Sequence, residues 1–160
     1  MSDSSHHTAS PHAHHAHGDG GPLKTSAQAT LHCLTGCVIG EVAGLMIGVG
    51  LGFEPWQTIA LATVLAYAAG ITLGLLPVMR AQGIGPLAAF KIIWLGEVIS
   101  IGVMEIVMNF VDYQMGGMTA PSIASWMFWR GIAFAVPAGF LAAWPVNYWL
   151  LKREIKQACH

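Results

Sequence analysis

Apolar residues in this chain run on instead of alternating. Four stretches, about Ala27–Phe53, Gln57–Met79, Leu87–Val111 and Ser122–Leu151, each reach or exceed the roughly 20 residues that carry a helix across a hydrocarbon core. Continuous runs exclude a bacterial outer-membrane β-barrel, whose strands alternate lipid-facing and lumen-facing positions. The pattern predicts an all-α fold, a four-transmembrane-helix bundle. Residues 1–26 have a different character, rich in Ser, Pro and Gly, with histidines at His6, His7, His12, His14, His15 and His17. Such a segment has too little apolar surface to bury and is expected to be a disordered His-rich arm. It has no charged region leading into a short apolar run, so it does not read as a signal peptide. The predicted organisation is therefore an arm over 1–26, a membrane domain over 27–152 and a short tail over 153–160.

Charge then gives the topology. Lys24, Arg80, Lys91, Lys152, Arg153 and Lys156 fall at the two ends and in the second loop, while the first and third loops carry no Lys or Arg. With four spans these positive segments share one side, which places both termini in the cytoplasm. Of the 160 residues, 54% are hydrophobic and 9% charged. The net charge of −1 offers no basic face for nucleic acid, and that class is set aside.

What remains polar inside the spans is the chemistry. Along the first helix, Gly36, Gly40, Gly44, Gly48 and Gly52 recur every fourth residue, a stripe that lets another helix come close and offers a surface for a homo-oligomer. Cys33, Cys37 and Glu41 climb with the same spacing and are expected on that interface-facing side, with His32 about 100° away. Cysteine at an interface is ordinarily a small hydrophobe, but Glu41 at mid-membrane is costly and calls for a partner, a cavity or an ion path. On the third helix, taking Glu97 as zero, Met104 falls at about −20°, Met108 at about 20°, Asp112 at about 60° and Glu105 at about 80°, so acids and thioethers share a face. Arg130 enters from the opposite side and is expected within reach of Glu41 or Glu105. One arginine cannot neutralise three acids. In the third loop, Met115 and Met118 flank two glycines and offer a thioether pair for Cu(I).

The segment Leu31-His32-Cys33-Leu34-Thr35-Gly36-Cys37, continuing to Gly40-Glu41, resembles the HC-x2-GC-x2-GE signature of a bacterial membrane family known as domain of unknown function 4396. Ser100-Ile101 with Met104-Glu105 and Asn109, and Pro145-Val146-Asn147 with Trp149-Leu150, resemble it more loosely. The likeness covers about residues 27–152 and implies a compact four-helix membrane domain with a role for the first-helix motif. It departs at Glu97, where the family often has aspartate, and at Met108, where it has another acid.

The residues themselves point to a metal-binding or metal-moving membrane protein with His32, Cys33, Cys37, Glu41, Glu97, Met104, Glu105 and Met108 as candidate ligands. Thiolate and thioether favour Cu(I), whereas Cys, His and Glu together suit Zn(II). A proton- or cation-coupled carrier of a small solute using the intramembrane glutamates is the alternative. A membrane dithiol redox enzyme is a further one, although Cys33 and Cys37 lack the C-x-x-C spacing of thioredoxin-like sites.

Overall fold

The computed structural model describes residues 22–153, and four helices account for nearly all of them: α1 Pro22–Leu51, α2 Pro55–Gln82, α3 Pro86–Met115 and α4 Trp126–Lys152. Each is long and apolar enough to cross a membrane. A proline opens each of the first three, where its missing N–H is no loss and its fixed φ suits the first turn. Ser125 caps α4 by accepting a hydrogen bond from the Met127 amide at 3.2 Å. Gly83 and Gly116, at φ 62° and 83°, close α2 and α3 in the left-handed region that a glycine enters without strain. The arm histidines and the tail beyond residue 153 lie outside the described residues. Residues 22–26, expected within the disordered arm, instead form the first turn of α1.

Successive helices run antiparallel. The pairs α1–α2 and α3–α4 pack most extensively, α1–α4 and α2–α3 less so, and α1 meets α3 across the centre. The glycine stripe makes the first of these contacts. Gly36 faces Gly70, Gly40 faces Leu65–Ala66, Gly44 faces Ala62 and Gly48 faces Thr58, stepping by four along both helices in opposite directions. A Cβ at Gly36 would lie 2.7 Å from the Gly70 Cα, and one at Gly40 would overlap the Leu65 and Ala66 backbone. The stripe expected to serve a homo-oligomer is thus covered by α2 of the same chain. Lipid supplies no hydrophobic drive between helices, so this close approach gains its energy from dispersion.

Because Cys37 and Glu41 each follow a stripe glycine by one residue, and Cys33 lies one turn before Cys37, the three lie about 100° round from the stripe. They therefore do not share the glycine face; they point to the bundle centre. There α4 presents its own buried row, Gly131, Ala135, Gly139, Ala143 and Asn147, with Gly131 against Asp112 and Gly139 against Met104 and Met108 of α3. The Met104 and Met108 side chains lie over Gly139, filling the space that a side chain there would take. Lys24, Arg80, Lys91, Lys152 and Arg153 gather at one end of the bundle, and Arg130 lies near the other.

Gly40→Ala is expected to destabilise the bundle by about 1–3 kcal/mol, because its methyl meets backbone that cannot give way. Gly50→Ala, where no atom lies within 4 Å of the added Cβ, is the matched control and should leave stability unchanged or slightly raised. Thermal unfolding of both variants in detergent measures the difference.

Candidate functional site

Two polar regions of opposite character occupy the interior. Towards the positively charged end, Ser100 of α3 donates to the Asn147 Oδ1 of α4 at 2.7 Å, and the Asn147 Nδ2 donates to the Thr30 Oγ1 of α1 at 2.9 Å. Thr30 donates in turn to the Ser26 carbonyl at 2.8 Å, and the Trp144 indole donates to the Ser26 hydroxyl at 3.0 Å. All of Ser26, Thr30, Ser100 and Asn147 are fully buried. Every donor has an acceptor, so the network ties three helices together at low desolvation cost. Cys33 touches its edge, with Sγ 3.8 Å from the Ser100 hydroxyl.

Towards the other end lies a group of acids. Glu41 on α1 and Glu105 on α3 each stand 19 residues into a helix that starts at the same end, which places both about 28 Å along the bundle. Glu41 is 2% exposed, and neither of its carboxylate oxygens has a hydrogen-bond partner. Glu105 has one oxygen without a partner and receives the Asn109 amide on the other at 3.3 Å. Asn109 also donates to Thr63 of α2 at 3.3 Å, and its own Oδ1 is buried and unpartnered. Asp112, fully buried, is wedged against the backbone of Gly117 and Gly131. The Met118 amide is turned towards it, without reaching good hydrogen-bond geometry with either oxygen. Glu41 lies within electrostatic reach of both Glu105 and Asp112.

Arg130 does not pair with these acids. Its Nη2 donates to the Met115 carbonyl at 2.7 Å, and its Nε is buried without an acceptor. The expectation of a central Arg–Glu pair rested on a helix beginning at Ser122. The helix begins four residues later, at Trp126, so Arg130 lies only about 6 Å from its end.

Between the two polar regions lies sulfur. Cys33, Cys37, Met104 and Met108 belong to one buried cluster with Leu34, Ala66, Ile101, Ala135 and Ala143. The two thiols stand one turn apart on α1, and Glu97 and Glu105 lie within electrostatic reach of Cys37. Of the other expected metal ligands, one is exposed and one lies against α2. His32 is exposed, with Nε2 3.2 Å from the Leu73 carbonyl of α2. Glu97 is buried against α2, where a Cβ built on Gly74 would lie 3.5 Å from its carboxyl carbon. Among the described residues, no three His, Cys, Asp or Glu side chains converge as a metal site would require. In the loop, Met118 is no exposed ligand; it is 3% exposed and packs with Leu45, Ala62, Ala120 and Phe128.

Sequence reasoning missed Thr30, Ser26 and Trp144 as members of the buried network. Polar residues one or two turns from an apolar run were the available signal, but they gave no indication of a partner on α4.

Four apolar antiparallel helices around buried acids, amides and thiols define a multi-pass membrane protein with an ionisable interior. Residues 23–156 match the family profile described as Domain of unknown function (DUF4396), and the chain belongs to that family. No curated protein and no solved structure matches the chain.

Asn147→Ala removes the link between Thr30 and Ser100 and should lower stability by about 1–2 kcal/mol. Ser100→Ala, which removes one donor, should cost less. Denaturant unfolding in mixed micelles orders the two, and equal stability of Asn147→Ala and the parent would show that the network does not hold the helices.

Proposed function

We propose that this protein is a proton- or cation-coupled membrane carrier that uses the buried acids Glu41, Glu105 and Asp112 in succession along its interior, with Asn109 beside Glu105. The observation that carries this reading is the set of buried oxygens without donors: both of Glu41, one of Glu105, that of Asn109 and both of Asp112. A buried ionised carboxylate costs several kcal/mol unless positive charge meets it. Arg130, the cation nearest in sequence on α4, is engaged with a backbone carbonyl. A proton or a dehydrated cation supplies what the side chains lack, and acids placed so inside a membrane mark such paths.

A borderline metal such as Zn(II) is less well served, since His32 is exposed and no three His, Cys, Asp or Glu side chains converge among the described residues. A soft metal remains a reading of the sulfur cluster alone. A dithiol redox enzyme has only the Cys33–Cys37 pair to support it. The clustering of positive charge at one end of the bundle supports an inner-membrane location with both termini cytoplasmic.

In proteoliposomes loaded with a pH-sensitive dye, the parent protein should relax an imposed proton gradient, either alone or when Na⁺ or K⁺ is added outside. Glu41→Gln and Glu105→Gln should abolish that flux while leaving the helical circular dichroism intact, and Cys33→Ser should be nearly silent. Flux through Glu41→Gln equal to that of the parent would sink the reading. For the orientation, a C-terminal green fluorescent protein fusion should fluoresce and a C-terminal alkaline phosphatase fusion should be inactive; the reverse result would invert the topology.

A further inference from the structure

We infer that Cys33, Cys37 and Met104 form a second site, distinct from the buried acids, that takes a monovalent soft cation such as Cu(I) or Ag(I). Cys33 and Cys37 are 4% and 0% exposed and lie one turn apart on α1. Both belong to one buried cluster, so two sulfur donors enter the same part of the core from successive turns of one helix. Met104 is 0% exposed and belongs to the same buried cluster.

Height selects Met104 over Met108. Counted from the helix starts at Pro22 and Pro86, Cys37 lies about 22 Å along α1, Met104 about 27 Å along α3 and Met108 about 33 Å. Met104 is the thioether within one turn of the thiol, whereas Met108 lies further towards the acids.

The chemistry of this donor set is selective. Zn(II) is ordinarily held by four nitrogen, sulfur or oxygen ligands, and no such group converges among the described residues. Cu(I) and Ag(I) accept two or three sulfurs and prefer thiolate and thioether to harder donors. Charge decides the binding form. Two thiolates on a monovalent ion would leave a net negative charge in an apolar cluster, which low dielectric opposes. One thiolate with one thioether gives a neutral complex. In that step one S–H bond breaks, one sulfur–metal bond forms, and the proton leaves to water. Met104 donates a lone pair to form the second sulfur–metal bond, the metal stays monovalent, and the remaining thiol keeps its proton.

The test uses full-length protein carrying Cys159→Ser, titrated anaerobically in detergent with Cu(I) against a chromogenic Cu(I) chelator, and separately with Ag(I). One tight equivalent per chain is expected, with a sulfur-only shell by X-ray absorption. It should survive replacement of the six arm histidines by serine. Cys37→Ala should weaken it by more than about 100-fold and Met104→Leu by about tenfold, as loss of a ligand and of a weaker ligand respectively. Met104→Leu conserves volume, so it tests the site even where a cysteine variant fails to fold. Glu41→Gln should leave the affinity unchanged, which separates this site from the buried acids. Equal binding by the parent, Cys37→Ala and Met104→Leu would overturn the proposal, as would loss of the tight equivalent in the histidine-replaced chain.

Discussion

The backbone of α1 rests directly on the backbone of α2, and the arrangement of the interior follows from that contact. Helices in lipid are not driven together by water, so they associate where shape allows many dispersion contacts. Gly36, Gly40, Gly44 and Gly48 provide that shape against Gly70, Ala66, Ala62 and Thr58. Once the glycine row is committed to α2, the neighbouring row of Cys33, Cys37 and Glu41 has one direction left, inward. The contact thus does more than join two helices, because it rotates α1 until its reactive side chains leave the lipid.

The second hairpin fills the space so created by a different rule. The small row on α4, from Gly131 to Ala143, faces larger side chains on α3, and Met104 and Met108 occupy the hollow at Gly139. Flexible thioethers suit an irregular gap of this kind. The same fit explains why methionine need not be a ligand wherever it lines the core; Met118, buried among Leu45, Ala62 and Phe128, is packing alone.

Along the bundle the interior changes from satisfied to unsatisfied. Ser100, Asn147, Thr30 and Ser26 close their hydrogen bonds among themselves. The carboxylates of Glu41, Glu105 and Asp112 do not. Both groups are buried to a similar degree, so burial alone does not separate them. What separates them is whether a neighbouring helix brings a donor. A buried polar network that is complete strengthens a fold, while unsatisfied buried groups cost free energy.

The sequence by itself determined the four spans, their antiparallel order, the clustering of positive charge at one end and the spacing that sets Cys33, Cys37 and Glu41 on one line. These are properties of single helices, readable from hydropathy and a 3.6-residue period. It misplaced the helix starts at Ala27 and Ser122, because apolar composition does not mark the first turn, and that error carried Arg130 too far into the membrane. Periodicity also gives an angle only about a helix's own axis. Tertiary structure alone decided that the glycine row meets α2, that His32 turns outward to Leu73, and that Asn147 joins Thr30 across 117 positions of chain. Which face meets which neighbour depends on the shapes of two surfaces at once, and one-dimensional spacing carries only one of them.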